Sequence, residues 1–359
     1  MCQPKLDPEN SPSGAKMQDI ADKLGLSVAT VSRALRRVQG INPETRAKVM
    51  QTAWEVGYRL PQTYRNTNLA SDELRHIGVF IETNQSQMPS AYLTGMSDAC
   101  MSLNASLVIH YVKPNECQSV LDPKHAPRAM KSGLLSGIVL IYWWPMEVVQ
   151  ALSKKLPTVS IMHKYPGVDV DVVGIDNDGG MSVLLRELYE KGHRKIGFLG
   201  RCGQLHWANA RLGGYVAGLT ELGLEYRQEW VVDVDFNVLT DPRGDYEEYA
   251  KKVAQITREQ GVTAWMCVTE PTGWQLYDQL QAAGFRIPED VSITGFHRPS
   301  ALWDNHQNLT SVGASYEAIG AAALKRLLFR IQNPAETCRA VLFPCEMHRG
   351  ESVGPPPVS

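Results

Sequence analysis

The stretch from Ile20 to Leu35, IADKLGLSVATVSRAL, decides the fold of the N-terminal part of the chain. Apolar residues recur at helical spacing on both sides of Gly25, which predicts two short helices joined by a tight turn. Ala21 is small where such helices would meet, and glycine suits the turn because it adopts left-handed backbone conformations without strain. Val31 would pack the second helix onto the first. The pattern predicts a helix-turn-helix.

The outer face of the second predicted helix carries residue types that helices use against DNA. The residues expected to point outward are Val28, Ala29, Ser32 and Arg33. Ser27 would cap the helix and, with Thr30 and the first N–H groups, contact a phosphate. Arg33 can donate two hydrogen bonds to O6 and N7 of a guanine. A generic helical hairpin would show the same spacing, so the motif alone leaves both interpretations open.

The distribution of charge favours the DNA interpretation. Residues 16–65 hold nine Lys and Arg against four Asp and Glu, a net charge of +5. The whole chain has a formal net charge of −2, so the remaining residues carry a net charge of −7. A small basic head on an acidic body is typical of a polyanion-binding module joined to a sensor. The head is predicted to contain helices over 17–24, 28–37 and 43–56, the last with Asn42 as cap and Pro43 in its first turn.

Composition excludes several classes of protein. The sequence has neither an apolar run long enough to span a membrane nor a secretory signal, so we expect a cytoplasmic protein without membrane contact. Its seven cysteines are scattered without CxxC pairs, which argues against a disulfide framework and a zinc site. We therefore expect no metal and no cofactor.

The rest of the chain alternates short β-rich runs with helical patterns, which predicts parallel sheets built from βαβ units. Nine strands are predicted: HIGVFIE, ASLVIHYV, GIVLIYWW, TVSIM, VVGID, KIGFLG, WVVDVDF, AWMCVT and VSITGF. Nine are too many for one ordinary sheet, so we expect an α/β body of two lobes with a ligand cleft between them. The fold class is thus an all-α helix-turn-helix head plus a two-lobed α/β body.

The predicted boundaries follow these patterns. They are a disordered tail over 1–15, the head over 16–60, a hinge or linker over 61–75, the body over 76–349 and a disordered tail over 350–359. Within the body, we assign the N-lobe to about 76–190 and 313–338, and the C-lobe to about 192–312 and 339–349.

The run MQDIADKLGLSVATVSRALRRVQGINPETRAKVMQTAWEVGYR resembles the DNA-binding head of the LacI family of bacterial repressors, through S-V-A-T-V-S-R and the closing G-Y-R. In the body, the segments SGIVLI, VGIDNDGG, LYEKGHRKIGFLG and FRIPEDVSITGF resemble the family's order and spacing. The resemblance runs from about Met17 to Arg349. It implies a homodimer on a roughly palindromic double-stranded DNA operator, and a small effector bound in a body similar to periplasmic binding proteins of type I.

The resemblance implies roles for individual residues of the head. Val28, Ala29 and Arg33 match the family's base-reading positions, and Tyr58 with Arg46 matches residues that support the head or contact phosphate.

The hinge departs from the family pattern G-Y-x-P-N-x-x-A-x-x-L, whose leucine wedges into the minor groove. Here Pro61 falls one residue late, Tyr64 stands at the alanine position and Thr67 at the leucine position. A threonine offsets the cost of unstacking bases less well than an apolar wedge does. We predict a weaker kink, or a shifted register in which Leu69 is the wedge. The alternative is that the hinge never folds tightly.

The effector positions also depart from the family. Arg211 in RLGGY matches a ligand-gripping arginine, but Thr269 and Glu270 replace the usual Asn-Asp pair. His297, followed by Arg298, replaces an aspartate that binds sugar hydroxyls in sugar-responsive members. Such a pocket would be cationic, which suits a carboxylate or phosphate on the ligand.

Aromatic residues cluster near the predicted strand ends. Trp143, Trp144 and Trp207 follow strands at the presumed cleft, and Phe236 matches a position where some members stack a ring on a sugar. Asp178 matches a ligand-contacting position. Core packing for the aromatic residues, and helix capping for Asp178, are alternatives that the sequence leaves open.

Two rival functions are disfavoured. The glycine turn in GFLGRCG lacks the spacing of a nucleotide site, and H-E-x-x-H and G-x-S-x-G are absent from the sequence, so we do not expect an enzyme. A transport binding protein would need an export signal and would have no use for a DNA-binding head.

The sequence predicts a repressor of a carbohydrate-utilisation operon, released from its operator by a sugar-like and possibly anionic effector. Corepression by the ligand is the alternative. No heptad pattern follows Arg349, so we expect a dimer and not a tetramer built on a coiled coil.

Overall fold

The computed structural model describes residues 15–35, 41–58, 74–82, 90–241, 244–296 and 308–358. The head has three helices, α1 (Met17–Leu24), α2 (Val28–Leu35) and α3 (Pro43–Glu55). Gly25 ends α1 in the left-handed conformation, with φ 62° and ψ 31°, and the Asn42 side chain accepts from the Glu44 N–H at 2.8 Å. The predicted tight turn and the predicted cap of α3 are both confirmed.

A small core holds the three head helices together. Its buried residues come from all three helices and are Ile20, Ala21, Val31, Ala34, Leu35, Val49 and Ala53. The predicted packing of Val31 against the first helix is confirmed, since Val31 and Ile20 are both fully buried.

The body contains two six-stranded sheets. The first has the order β11-β5-β4-β3-β1-β2 and the second β12-β10-β9-β8-β6-β7. Neighbouring strands run parallel except β10 and β12, which pair antiparallel. The strands are β1 (Arg75–Glu82), β2 (Ala105–Val112), β3 (Leu135–Ile141), β4 (Thr158–Ile161), β5 (Asp171–Ile175), β6 (Ile196–Arg201), β7 (Val231–Asp233), β8 (Ala264–Cys267), β9 (Ser292–Phe296), β10 (Thr310–Gly313), β11 (Ala340–Phe343) and β12 (Glu346–His348).

Helices cover both sheets. They are α4 (Ser90–Leu103), α5 (Arg128–Lys131), α6 (Met146–Lys155), α7 (Asn177–Glu190), α8 (His206–Glu221), α9 (Phe236–Thr240), α10 (Glu247–Gln260), α11 (Glu270–Ala282) and α12 (Tyr316–Gln332), with 3-10 helices at Pro114–Leu121 and Gln228–Trp230. In the part of the chain that the structure describes, no helix is long and apolar enough to cross a membrane.

All nine predicted strands are present, and three further ones, β10 to β12, were missed. These three are only three or four residues long, and β10 (TSVG) and β12 (EMH) lack an apolar run, while β11 (AVLF) is apolar but too short to show a strand pattern. The predicted strand WVVDVDF is shorter than expected, because helix α9 begins at Phe236.

The predicted lobe boundaries were wrong at two places. Strand β11 was assigned to the C-lobe, but it pairs with β5 in the first sheet, with Ala340 opposite Val172. Helix α7 was assigned to the N-lobe, but it packs against the second sheet, where a Cβ on Gly180 would lie 2.7 Å from the Phe296 ring. The chain therefore leaves the N-lobe at Asp176, whose carboxylate caps α7.

The chain passes between the lobes three times. The crossings join β5 to α7, β10 to α12 and β11 to β12. The first and third lie side by side, since the Asp176 N–H donates to the Phe343 carbonyl at 2.9 Å and the Cys345 thiol donates to the Asp176 carbonyl at 3.6 Å.

The prediction of a disordered tail over 350–359 was wrong for the described residues 350–358. Ser352 is buried, its N-terminal neighbour Glu351 bonds to Asn308, and its carbonyl accepts from the Ile293 N–H at 2.9 Å. The fully buried His193 ring contacts the Gly354 carbonyl at 3.0 Å. The tail is ordered because it satisfies backbone groups along β9 that the sheet leaves open.

A buried ion cluster lies at the start of β5, next to the edge strand β11 of the N-lobe sheet. Asp171 is fully buried at the start of β5, where its carboxylate accepts from Arg330 at 2.7 Å, from Arg326 at 2.8 Å and from the Arg339 N–H at 2.7 Å. Burial raises the pKa of Asp171, but these hydrogen bonds outweigh it and hold the pKa below the usual 3.8.

We predict that Asp171→Asn lowers the free energy of unfolding by about 3–5 kcal/mol at pH 7, because two nearly buried guanidinium groups lose their counter-charge. A depressed pKa stabilises the fold above its usual value, so the difference between wild type and variant should shrink as the pH falls below 3.8. Urea unfolding at several pH values measures this difference in the free energy of unfolding. The control is Asp290→Asn, which breaks an exposed pair with Arg286; an equal loss in both variants would contradict the prediction.

Candidate DNA-binding helix and effector cleft

Helix α2 presents a mixed surface to solvent. Val28, Ala29 and Arg33 are exposed on it, as predicted for residues that meet bases. The Ser27 hydroxyl accepts from the Thr30 N–H at 3.1 Å and lies 2.9 Å from the Thr30 hydroxyl, so the predicted cap forms. Both hydroxyls stand where the first turn of α2 can meet a phosphate.

Ser32 does not lie on this outer face. It is 8% exposed, because α2 packs against both α1 and α3 and the buried stripe widens to include Val31, Ser32, Ala34 and Leu35. The prediction that Ser32 points outward was wrong.

The resemblance gives Tyr58 and Arg46 a supporting or phosphate-contacting role, and both are partly buried in the head. Tyr58 is partly buried against the head core, with its N–H bonded to the Ala53 carbonyl at 2.9 Å, and Arg46 is partly buried on α3. The hinge positions Pro61, Tyr64, Thr67 and Leu69 lie outside the described residues, so their roles stay predictions.

Arg211 lies on α8 of the C-lobe, within electrostatic reach of Tyr92 and Tyr316 of the N-lobe. It is 4% exposed on α8, donates from Nε to Asn177 at 2.9 Å and from a terminal nitrogen to the Val268 carbonyl at 2.6 Å, and lies 3.7 Å above the Phe296 ring. Burial lowers the pKa of Arg211 to about 10, so it is still charged at neutral pH. Within the described part of the chain, no acidic side chain forms an ion pair with it.

Thr269 and Glu270 follow β8 at the same edge of the sheet. Thr269 is the cap of α11, accepting from the Thr272 N–H at 3.2 Å. Glu270 is 1% exposed and accepts from the Ser311 hydroxyl at 2.8 Å, while its second carboxyl oxygen has no partner among the described residues. Burial raises the pKa of Glu270 to about 7, so this carboxyl is partly protonated at neutral pH.

The predicted aromatic residues separate into two groups. Trp144 is fully buried in the N-lobe core, bonded through its indole N–H to the Ile141 carbonyl at 3.1 Å, so its assignment to the effector site was wrong. It lies three residues beyond the end of β3, and its ring packs near the Phe80 ring, with centroids 6.3 Å apart. Trp143 is 50% exposed, and Phe236 is 41% exposed at the start of α9.

Of the four remaining predicted effector residues, the structure describes two. Trp207 is half-buried on α8, with Arg211 5.0 Å from its ring, and Asp178 is exposed in the first turn of α7. His297 and Arg298 lie outside the described residues, so the predicted cationic pocket rests on Arg211 alone here.

Several N-lobe residues near Arg211 were not among the predicted site residues, although Trp143 and Trp144 of the same lobe were. Tyr92 and Tyr316 stack with ring centroids 4.7 Å apart. Burial raises the pKa values of both tyrosines, and the charge of Arg211 opposes part of this rise. Tyr142 and Met162 take positive φ values of 67° and 70° directly after β3 and β4. Such conformations in non-glycine residues are costly and mark a constrained edge, but they leave no signal in the sequence.

Comparison with known families agrees with this geometry. Residues 16–60 match the family model described as bacterial regulatory proteins, lacI family, and residues 185–353 match the periplasmic binding protein-like domain.

Curated relatives match along nearly the whole chain. The HTH-type transcriptional repressor CytR of Escherichia coli is 26% identical over 338 residues, which cover 93% of this chain and 95% of the relative. The HTH-type transcriptional repressor PurR of Haemophilus influenzae is 25% identical over 328 residues, covering 90% and 93%.

Two solved structures share the fold. The transcriptional regulator CelR in complex with cellobiose superposes with a TM-score of 0.65 at 21% identity, covering 94% of this chain and 99% of the other. The lac repressor dimer bound to operator and the anti-inducer ONPF gives 0.63 at 19% identity, covering 95% and 100%. With its helix-turn-helix head followed by this two-lobed body, the chain belongs to the LacI family of bacterial regulatory proteins.

Proposed function

We propose that this protein is a sequence-specific transcriptional repressor, and not an enzyme, whose head binds a palindromic operator. The observation that carries the proposal is helix α2: Val28, Ala29 and Arg33 are exposed on it while Val31 and Leu35 are held in the head core. A rigid helix with a free apolar and cationic face suits the major groove. Because operator DNA lies in the cytoplasm of bacteria, we place the protein there.

We further propose that a small sugar-like effector, possibly anionic, binds between the lobes and releases the operator of a carbohydrate-utilisation operon. Arg211 supports this, because a buried cation without an ion-pair partner in the described chain is suited to a ligand that accepts hydrogen bonds. Phe236 and Trp143 add exposed aromatic faces that can stack on a sugar ring.

A homodimer completes the proposal. Strand β2 is the outer strand of the N-lobe sheet, and beside it lies a groove whose lining includes Leu93, Leu107 and Ile109. Met101 on α4 is 91% exposed, and Tyr111 on β2 is 56% exposed. An apolar face along a sheet edge is suited to a second copy of the same chain, and two copies present the two heads that a palindrome requires.

Arg33→Ala tests the head. It should weaken operator binding by about 1–3 kcal/mol and relax the preference at one base pair per half-site, because the bidentate contact to guanine is lost. Binding to a library of operator variants measures both effects. The control is Lys48→Ala on α3, which should leave the base preference unchanged; a uniform loss in Arg33→Ala would contradict direct readout.

Phe236→Ala tests the sugar-stacking role. Thermal-shift screening across sugars, uronic acids and sugar phosphates first identifies the compound that stabilises the wild type most. The variant should then bind that compound more weakly by up to about 1.5–3 kcal/mol, the free energy of burying such a side chain. Phe329→Ala, which removes an equally exposed ring from α12, should leave the affinity unchanged. Equal affinities for wild type and Phe236→Ala would exclude stacking.

Met101→Asp tests the dimer face. A charge at this position should shift the protein from dimer to monomer at micromolar concentration, as measured by sedimentation velocity. The control is Met146→Asp at the start of α6, which lies in the opposite helical layer of the N-lobe and is 47% exposed. A Met101→Asp protein that remains a dimer would remove this face from the interface.

A further inference from the structure

The head contacts the N-lobe directly, in addition to being joined to it through the chain. Cα atoms of helix α3 in the head and of the short helix α5 in the N-lobe approach within 8 Å of each other. Met50 of α3 meets Gly133, which lies two residues beyond the end of α5. A direct contact between head and body can orient the head, which a flexible connection alone cannot do.

Met50 occupies the space that a side chain at residue 133 would need. A Cβ atom placed on Gly133 would lie 2.9 Å from Cγ and 3.1 Å from Cβ of Met50. Gly133 also has a φ of 67°, in the left-handed region that glycine adopts at little cost. Because its side chain is flexible and apolar, methionine is well suited to fill such a gap. The close approach therefore depends on the missing side chain at residue 133.

The turn that Met50 contacts is fixed to the N-lobe core. The Gly133 N–H donates to the Met130 carbonyl at 3.1 Å. Met130 and Leu135, on either side of the turn, are 4% and 1% exposed and belong to the core of the N-lobe. Strand β3 begins at Leu135. A head that rests on this turn therefore moves together with the N-lobe sheet.

Charges at the same contact add to the apolar packing. Glu55, the last residue of α3, accepts from the Lys23 side chain at 3.0 Å. Hydrogen bonds from Lys23 and then from Gln51 lower the pKa of Glu55, and the charge of Lys131 on α5 adds to this lowering. Head and N-lobe thus attract each other across the contact. Since Glu55 is exposed, this attraction is weak and the packing of Met50 is the main contribution.

The contact leaves the DNA-binding face of the head free. Helix α3 packs on the other head helices through Val49 and Ala53 and on the N-lobe through Met50. With the head in this position, the three proposed base-contacting residues of α2 are all exposed. The docked head is therefore compatible with insertion of α2 into a major groove.

We propose that Met50 and the turn at Gly133 form a docking surface that holds each head on its own N-lobe in the arrangement that binds the operator. The role in operator binding rests on the proposed function, whereas docking itself requires no DNA. Because a docked head is already ordered, it loses less conformational freedom when the operator binds. Met50 is thus a positioning residue, which favours DNA binding without touching DNA.

Disulfide trapping in the full chain tests the docking. In the variant Met50→Cys/Gly133→Cys the two Cβ atoms start 3.1 Å apart, so a small shift brings them to the roughly 3.5–4.5 Å of a disulfide. Oxidised glutathione is the oxidant, and peptide mapping by mass spectrometry distinguishes this bond from bonds of the native cysteines. We expect the cross-link in the double variant. The cross-linked protein should bind the palindromic DNA that the wild type selects from a randomised library at least as tightly as its reduced form.

Met50→Ala tests the positioning role without strain at residue 133. It should weaken binding to the same DNA about tenfold, because the apparent affinity falls with the fraction of heads in the binding arrangement. Hydrogen exchange in residues 128–134 should also become faster, because the turn loses its cover. The control is Gln51→Ala, which shortens the next, exposed side chain of α3 and should change neither quantity.

A folded double variant that does not cross-link would overturn the docking surface, and so would a cross-linked protein that loses DNA binding. Where strain at residue 133 prevents the double variant from folding, Met50→Ala decides. Unchanged hydrogen exchange in that variant would overturn the docking, and unchanged DNA affinity would overturn the positioning role. A wild type that selects no DNA would overturn the proposed repressor, while cross-linking and hydrogen exchange would still report on docking.

Discussion

The contacts of one guanidinium group organise the cleft. Arg211 lies on α8, yet its hydrogen bonds reach α7 through Asn177 and the end of β8 through Val268, and its face covers Phe296 at the end of β9. Three separate elements therefore contact the same guanidinium group. A neutral side chain of the same length could not make these bonds, and burial of the charge is tolerated because a carbonyl, an amide oxygen and an aromatic face surround it.

Much of the fold could be predicted because its signals are local. Gly25, Asn42 and the spacing of Ile20, Ala21 and Val31 specify the head, and each effect acts within one or two helical turns. The nine predicted strands were equally visible, since parallel strands covered on both faces read as continuous apolar runs.

The remaining features depend on contacts between distant residues. The position of β11 is set by pairing with β5 about 170 residues earlier, and Ser352 is ordered only because β9 lies beside it. Trp144 was assigned to the cleft from its place after a strand, but the direction in which its ring turns depends on Phe80 in another strand.

The three passages of the chain between the lobes restrict how the body can move. A single connection would let one lobe rotate freely relative to the other, whereas three connections restrict that rotation. The hydrogen bond from the Asp176 N–H to the Phe343 carbonyl joins two of these connections, so a motion that separates them must break it. Opening and closing is thus the low-energy motion that the connectivity allows, and anything bound in the cleft acts on that single coordinate.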